Sequence, residues 1–436
     1  MKSAQLVRGL FLGAVLTLGM VSMTRAADDA PLGSIATQAA DDVFGPRKGN
    51  WHPSLDVSES WTDNLFNEPT NEQAELITVV SPGLWLAIPA RFDQPQSLQT
   101  VNTVPGSLAY SVLADTTDYG HYQVFAAYSA NFEMYQEFAD KNQTTQRAEA
   151  KLGYYPGPKT RVELQHVYDN NREAFGSGTA SIGQEDLFTG NTTSLSLGYI
   201  LTERLKLKAS GGYYELQYDD VGNNFRERKD WTLTGQVAFA VTAKFDLFTE
   251  YRQIRIDYAT NDALDSEESF VAAGVEWAVT QKTSGLAKAG YNTKDLQGNM
   301  PDDDALQLEL QLNYQFSSKT KLTLRGLRQL SETDIAGTTG RLGHQTSAEV
   351  SYQLSPKVTS SLNLGWLQDQ YRGTITIGTQ TAERQDEYLQ AGLSLNWNVK
   401  NWLSAGCGYD LANRDSNFDS FDYTSNTAYL SVSAAL

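Results

Sequence analysis

The sequence predicts an all-β chain: a transmembrane, up-and-down antiparallel β-barrel of about 18 strands. Three observations carry this. Segments of eight to twelve residues alternate apolar and polar side chains from about Trp51 to the C-terminus. The connections between them are alternately short and long. No stretch after Ala26 approaches the ~20 consecutive apolar residues that a spanning helix needs.

The first elements read as an export leader. Lys2 and Arg8 precede "GLFLGAVLTLGMVSM", and "TRA" at Thr24–Ala26 supplies the small residues of a cleavage site. Residues 1–26 are therefore expected to be a signal peptide and 27–50 a periplasmic tail. Cys407 is the only cysteine, so a disulfide framework is excluded. The net charge of −18 argues against nucleic acid as a partner.

"DALQLELQLNYQF", Asp304–Phe316, shows the strand pattern most plainly. Leu306, Leu308, Leu310, Leu312 and Tyr314 take one parity; Gln307, Glu309, Gln311, Asn313 and Gln315 take the other. A strand sends successive side chains to opposite faces, so one face is oily and one is wet. In a soluble sandwich the oily face would meet protein; in a barrel it meets lipid and the wet face lines a lumen.

Seven short turns, each carrying a cation, recur: "YPGPKT", "LTERL", "VTAKF", "VTQKTS", "FSSKT", "LSPKV" and "NVKNW". The other connections are longer and rich in Asp, Asn, Gly and Ser, as in "DDVGNNFRER" and "TKDLQGNMPDDD". Tight periplasmic turns alternating with long extracellular loops are the pattern of an outer-membrane barrel. Both termini then lie on the periplasmic side, so the strand number is even. With "AELITVVSPGLWLAI" and "YQVFAAYSANFEMY" placed, the total is 18, with 16 and 20 as the alternatives. This count makes 89–119 a periplasmic-side insertion, although "SLAYSVL" within it resembles a strand. Tyr154, Tyr199, Trp277, Tyr314, Trp366, Trp397 and Trp402 sit near strand ends, as interfacial girdle residues do.

"PSLDVSESWTDNLF" (Pro53–Phe66) and "VVSPGLWL" (Val79–Leu86) resemble the start of a β-barrel porin family encoded with exopolysaccharide or capsule export machinery. "TDN" at Thr62–Asn64 and "PG" at Pro82–Gly83 carry most of the match. The resemblance implies an outer-membrane location and a polysaccharide-export role. The chain departs from many such barrels in ending on Leu436, where the assembly machinery commonly reads an aromatic residue.

With the oily parity outward, the lumen is expected to receive Arg147, Glu149, Lys151, Arg161, Glu163, Lys206, Lys208, Glu250, Arg252, Glu276, Lys288, Glu309, Arg325 and Glu349. Both signs are interleaved. Such a wall suits sugars, and it suits small hydrophilic solutes equally; the ion pairs could also simply stiffen and hydrate the barrel. Acidic runs such as Asp219–Asp220, Asp262–Glu268 and Asp302–Asp304 read as solvated loops rather than calcium sites, since no twelve-residue calcium loop is present. Neither an H-E-x-x-H nor a G-x-S-x-G pattern appears, so no catalytic, metal or cofactor residue is assigned. The expected partners are outer-membrane lipid, lipopolysaccharide, barrel assembly machinery, a polysaccharide and periplasmic export components. A general diffusion porin is the alternative function.

Overall fold

The structure is a computed structural model and describes residues 50–89, 121–173, 186–280, 282–298, 301–333, 335, 337–400 and 402–435. The expected signal peptide, nearly all of the expected tail and the expected insertion lie outside the described residues. Its strands, in chain order, are β1 (Trp51–Thr62), β2 (Glu75–Ile88), β3 (Tyr122–Tyr135), β4 (Gln143–Gly157), β5 (Thr160–Arg172) and β6 (Leu187–Ile200). Then come β7 (Leu205–Tyr218), β8 (Arg228–Thr242), β9 (Phe245–Tyr258), β10 (Ser266–Thr280), β11 (Thr283–Leu296), β12 (Asp303–Gln315) and β13 (Thr320–Ser331). The last are β14 (Gly340–Ser355), β15 (Val358–Arg372), a small hairpin of β16 (Ile375–Ile377) and β17 (Gln380–Ala382), β18 (Gln385–Lys400), β19 (Leu403–Ser416) and β20 (Tyr423–Ala435).

All except β16 and β17 form one antiparallel sheet of 18 strands. Each strand pairs with its neighbours in sequence, β15 joins β18 across the small hairpin, and β20 returns to β1. The sheet is closed, so no edge strand is left with unpaired N–H and C=O groups, as the hydrocarbon of a bilayer requires.

Burial follows the two-residue period. On β8, Asp230, Thr232, Thr234, Gln236 and Ala238 are buried, while Trp231, Leu233, Val237, Phe239 and Val241 are exposed. Trp231 to Val241 spans about 33 Å of strand; at a tilt of ~40° this is an apolar band about 25 Å tall, the height expected for the outer membrane. Tyr154, Tyr199 and Trp397 stand exposed at the short-turn end, and Trp366 near the other end donates to Glu387 at 2.8 Å. Val237 lies near the middle of this band, 46 % exposed. Val237→Arg is expected to cost about 2–4 kcal/mol, as an arginine near the bilayer midplane does. Urea titration of the variant refolded in lipid vesicles checks this; an unchanged midpoint would contradict the outward assignment.

The strands run 12 to 16 residues, longer than the alternating segments read from sequence. At the loop edge they continue past the membrane into stretches whose polar composition reads as loop. The connections there remain the longer set, but part of each is hairpin wall. The outward row of β9 shows why: Leu247 and Tyr251 give way to Gln253, Arg255 and Asp257, all in strand conformation. Once the wall clears the lipid, its outer face meets water and needs polar residues.

The two family-like motifs meet at the closure. Asp63 accepts from the Asn426 backbone N–H at 2.7 Å and from its Nδ2 at 2.6 Å. Asn64 Nδ2 donates to the Thr424 carbonyl at 3.0 Å, and Thr62 Oγ1 lies 3.2 Å from Ser425 Oγ. "TDN" therefore fastens the end of β1 to the start of β20, the strand pair with the greatest sequence separation. Pro82 falls where the β2–β3 register is interrupted, between Val80↔Phe132 and Gly83↔Ser129; proline has no N–H to give a ladder. A Cβ at Gly83 would come within 2.6 Å of Ser54 Oγ on β1. Asp63→Ala is expected to weaken the seam by about 1.5–3 kcal/mol, the range for a hydrogen bond to a charged group. The readout is a lower temperature for loss of the compact, fast-migrating band on SDS gels, with Asp63→Asn intermediate because it keeps one acceptor and loses the other and the charge.

Candidate functional site: the barrel lumen

The inner wall is the place where charge collects. On β4 and β5, Arg147 bonds Glu149 at 2.6 Å and reaches Asp169 at 3.4 Å, and Lys151 meets Glu163 at 3.2 Å. The Arg161 guanidinium stands 5.7 Å over the Tyr155 ring, whose hydroxyl donates to Glu163 at 2.8 Å. Lys206 on β7 meets Asp246 on β9 at 2.5 Å. Lys288 on β11 sits between Glu250 on β9 at 3.3 Å and Glu309 on β12 at 3.0 Å. Arg252 donates to Gln307 Oε1 at 3.3 Å and stacks over Phe270 at 4.6 Å. Lys208 pairs across the sheet with Gln236, and Glu276 with Asp246. Arg325 lies opposite Gln311, and Glu349 accepts from Ser351 Oγ at 3.0 Å. Neighbouring strands place one residue beside another every ~4.8 Å, so a cation with carboxylates one or two strands away is held by register alone.

The wall from β14 through β20 to β1 differs. Its inward positions are small and mostly uncharged: Ser361, Asn363, Gly365, Gly392, Ser394 and Asn396 on β15 and β18, then Ser404, Gly406 and Gly408 on β19. The lumen therefore has an ionic half and, midway along β15, β18 and β19, a hydroxyl-and-glycine patch.

An 18-stranded barrel is wide enough to hold water along its inner wall. From β8 to β13 that wall is packed instead. Arg252, Lys288 and Lys294 are 1 %, 6 % and 0 % exposed. Contacts there jump several strands. Arg252 reaches Gln307 three strands away, and Arg228 on β8 lies 4.0 Å from Glu332, just after β13. Five strand intervals amount to about 24 Å of wall, so the wall curves tightly around this cluster. Glu332 Oε2 also accepts from the Tyr258 hydroxyl at 2.8 Å, and its other oxygen pairs with Lys294. Burial alone would raise the Glu332 pKa, but the Lys294 and Arg228 cations outweigh it and hold the carboxyl below its ordinary value of 4.5.

At the loop edge the inside turns apolar. Ile254, Ile256 and Tyr258 pack with Leu264, and Leu65, Phe66, Ile77 and Tyr135 form a second cluster. Ile335, Tyr371, Ile375 and Phe418 form a third, with Ile377 and Phe421 against it. Arg384 lies 3.6 Å over the Phe421 ring and bonds Asp386 at 2.7 Å; Arg414 bonds the same carboxylate at 2.9 Å. Side chains thus line the inside of the outer mouth along these strands.

A sequence profile described as "Putative beta-barrel porin 2" matches residues 94–436. The chain belongs to that family. No curated protein matches it in sequence. Among solved structures it is similar to the outer membrane protein OpdK from Pseudomonas aeruginosa, with 9 % identity and a TM-score of 0.46 over 88 % of this chain and 99 % of that one. OpdO from the same organism gives 11 % identity and 0.46 over 89 % and 98 %. OccAB4 from Acinetobacter baumannii gives 11 % identity and 0.45 over 89 % and 99 %. Scores this low mark a loose likeness, from which no shared solute follows.

In this porin-family barrel several lumen residues escaped the sequence reading because they lie in stretches of loop composition. Arg228, Glu268, Lys294 and Glu332 are the main ones, with Asp369, Arg384, Asp386 and Arg414 at the mouth. Glu268, counted in an acidic loop, is 5 % exposed on β10 and accepts from Asn292 at 3.1 Å. A usable signal was present: a cation and a carboxylate two residues apart share a strand face, as in Arg147/Glu149, Arg228/Asp230 and Arg384/Asp386.

The loop acids themselves do structural work. Asp265, Asp302 and Asp422 accept from the backbone N–H of Tyr258, Leu296 and Ser416 at 2.7, 3.1 and 2.7 Å, each across its own hairpin. Among the described residues no group of three or more His, Cys, Asp or Glu side chains is placed to hold a metal ion.

Proposed function

We propose that this outer-membrane barrel of porin type passes a secreted polysaccharide outward, working with periplasmic export components. The observation that carries the reading is the internal neutralisation of the ionic half of the lumen. Lys206, Lys288 and Arg147 each stand against a carboxylate, so the wall offers hydrogen bonds with little net field. An uncharged, hydroxyl-rich chain gains from such a wall; a small ion gains nothing from charges already paired. The packed β8–β13 wall and the apolar clusters at the outer mouth also suit a conduit that opens for its cargo better than a standing pore. The resemblance of the β1–β2 motifs to barrels encoded with export machinery supports the same role. The tail before β1 and the chain between β2 and β3 both join the barrel at its short-turn edge, periplasmic by the rule for such barrels, where export components would dock.

Deleting the gene is expected to leave polymer in the cell envelope and strip it from the surface. Unchanged surface polymer would end the export reading. A large, stable, always-open conductance in planar bilayers would establish the general diffusion porin instead.

A further inference from the structure

One strand of the inner wall has a feature the ion pairs do not explain. Asp230, Thr232, Thr234 and Gln236 occupy four successive inward positions on β8 and are 2 %, 5 %, 1 % and 3 % exposed. The Thr232 and Thr234 hydroxyls, both amide atoms of Gln236 and Asp230 Oδ1 are shut off from solvent and have no hydrogen-bond partner. Next to them on β9, directly opposite Thr234, Arg252 has its Nε and Nη1 in the same condition. Across β10, so does Asn292 Oδ1 on β11.

Each such group costs about 1–3 kcal/mol when buried without a partner. A row of them at ~6.7 Å intervals along one strand is therefore a poor way to build a wall. It is a good way to hold something that brings its own donors and acceptors. We infer that the inner face of β8, with Arg252 beside it, is a binding track for an uncharged, hydroxyl-rich solute: a run of neutral sugar residues.

The chemistry of the row selects that class. A threonine hydroxyl and a glutamine amide each donate and accept, which is what a sugar hydroxyl also does. The carboxylate of Asp230 at one end and Glu250, opposite Gln236, disfavour an anionic chain. Arg252 over Phe270 supplies a flat, partly apolar surface beside the row. A crevice lined by Phe270, Lys288, Gln307, Glu309 and Gln329 opens alongside, where Gln307 binds Arg252. Because the row points into the lumen, a solute reaches it by displacing lumen side chains, with Arg252 staying over Phe270 beside the row.

This inference rests on the export reading and gives it a substrate class. The test uses the full-length mature barrel refolded in detergent, titrated calorimetrically with maltohexaose, a neutral oligosaccharide, and with an oligogalacturonate of equal length. Maltohexaose is expected to bind, and Thr234→Val with Gln236→Leu to weaken it at least tenfold while the folded band on SDS gels is kept. Thr346→Val, on the outward face of β14, should leave binding unchanged. No binding of maltohexaose, equal binding by the double variant, or preference for the oligogalacturonate would each overturn the track. Returning the double variant to the deletion strain separates the two readings. Polymer restored by wild type and equally by the double variant removes the track and leaves export standing; polymer unaffected by the deletion removes export itself.

Discussion

Lys288→Met should be the most damaging single substitution in the lumen, costing about 3–5 kcal/mol, as loss of one partner of a buried ion pair does. Lys288 is the cation between Glu250 and Glu309, and all three side chains are at least nine-tenths buried. Methionine keeps much of the volume, so the loss would be electrostatic. Two carboxylates would face each other across β10 and β11 with no cation between them. The measurement is the urea midpoint of the refolded barrel, followed by the loss of heat-modifiable mobility. Adding Glu250→Gln and Glu309→Gln to Lys288→Met should recover most of the loss. A double-mutant cycle that shows simple additivity would mean that the triad is not a unit.

Glu332→Gln is expected to loosen the packed wall, seen as more frequent or larger openings in planar bilayers, with a smaller effect on stability than Lys288→Met. Glu332 gathers Arg228, Tyr258 and Lys294 from three strands. Glutamine keeps the shape and can still accept from Tyr258, but it gives the two cations no charge. The pH dependence follows from the direction of the shift. A carboxyl whose folded pKa lies below its unfolded value of 4.5 contributes its full stabilisation above the unfolded value. That contribution is lost as pH falls through the lower folded value. Wild type should therefore keep its neutral-pH conductance down to about pH 4.5 and open more readily in stronger acid. Glu332→Gln should be open more often throughout, without that acid-dependent step. Identical wild-type and variant recordings between pH 4 and 7 would remove Glu332 from any role in closing the lumen.

The strand pattern was legible because it depends on neighbours in sequence. "DALQLELQLNYQF" fixes which of its faces is oily without reference to any other strand, and counting such strands with both ends on one side gives an even number, 18. The inward row holding Lys288 and Glu309 can be read the same way. The strand ends could not. Arg255 and Asp257 look like loop because the reading assumed lipid outside the whole strand, whereas the wall continues into water.

By itself, then, the sequence determined the closed antiparallel wall, its two faces and the places where the chain turns back, because a two-residue period is a property of the backbone alone. Only the tertiary structure decided which inward side chains meet. Arg228 finds Glu332, Asp63 finds Asn426, and the Thr232, Thr234 and Gln236 side chains of β8 find no hydrogen-bond partner. Those outcomes are set by how tightly the closed wall curves and by which strands it brings face to face, and no local spacing of residues encodes that curvature.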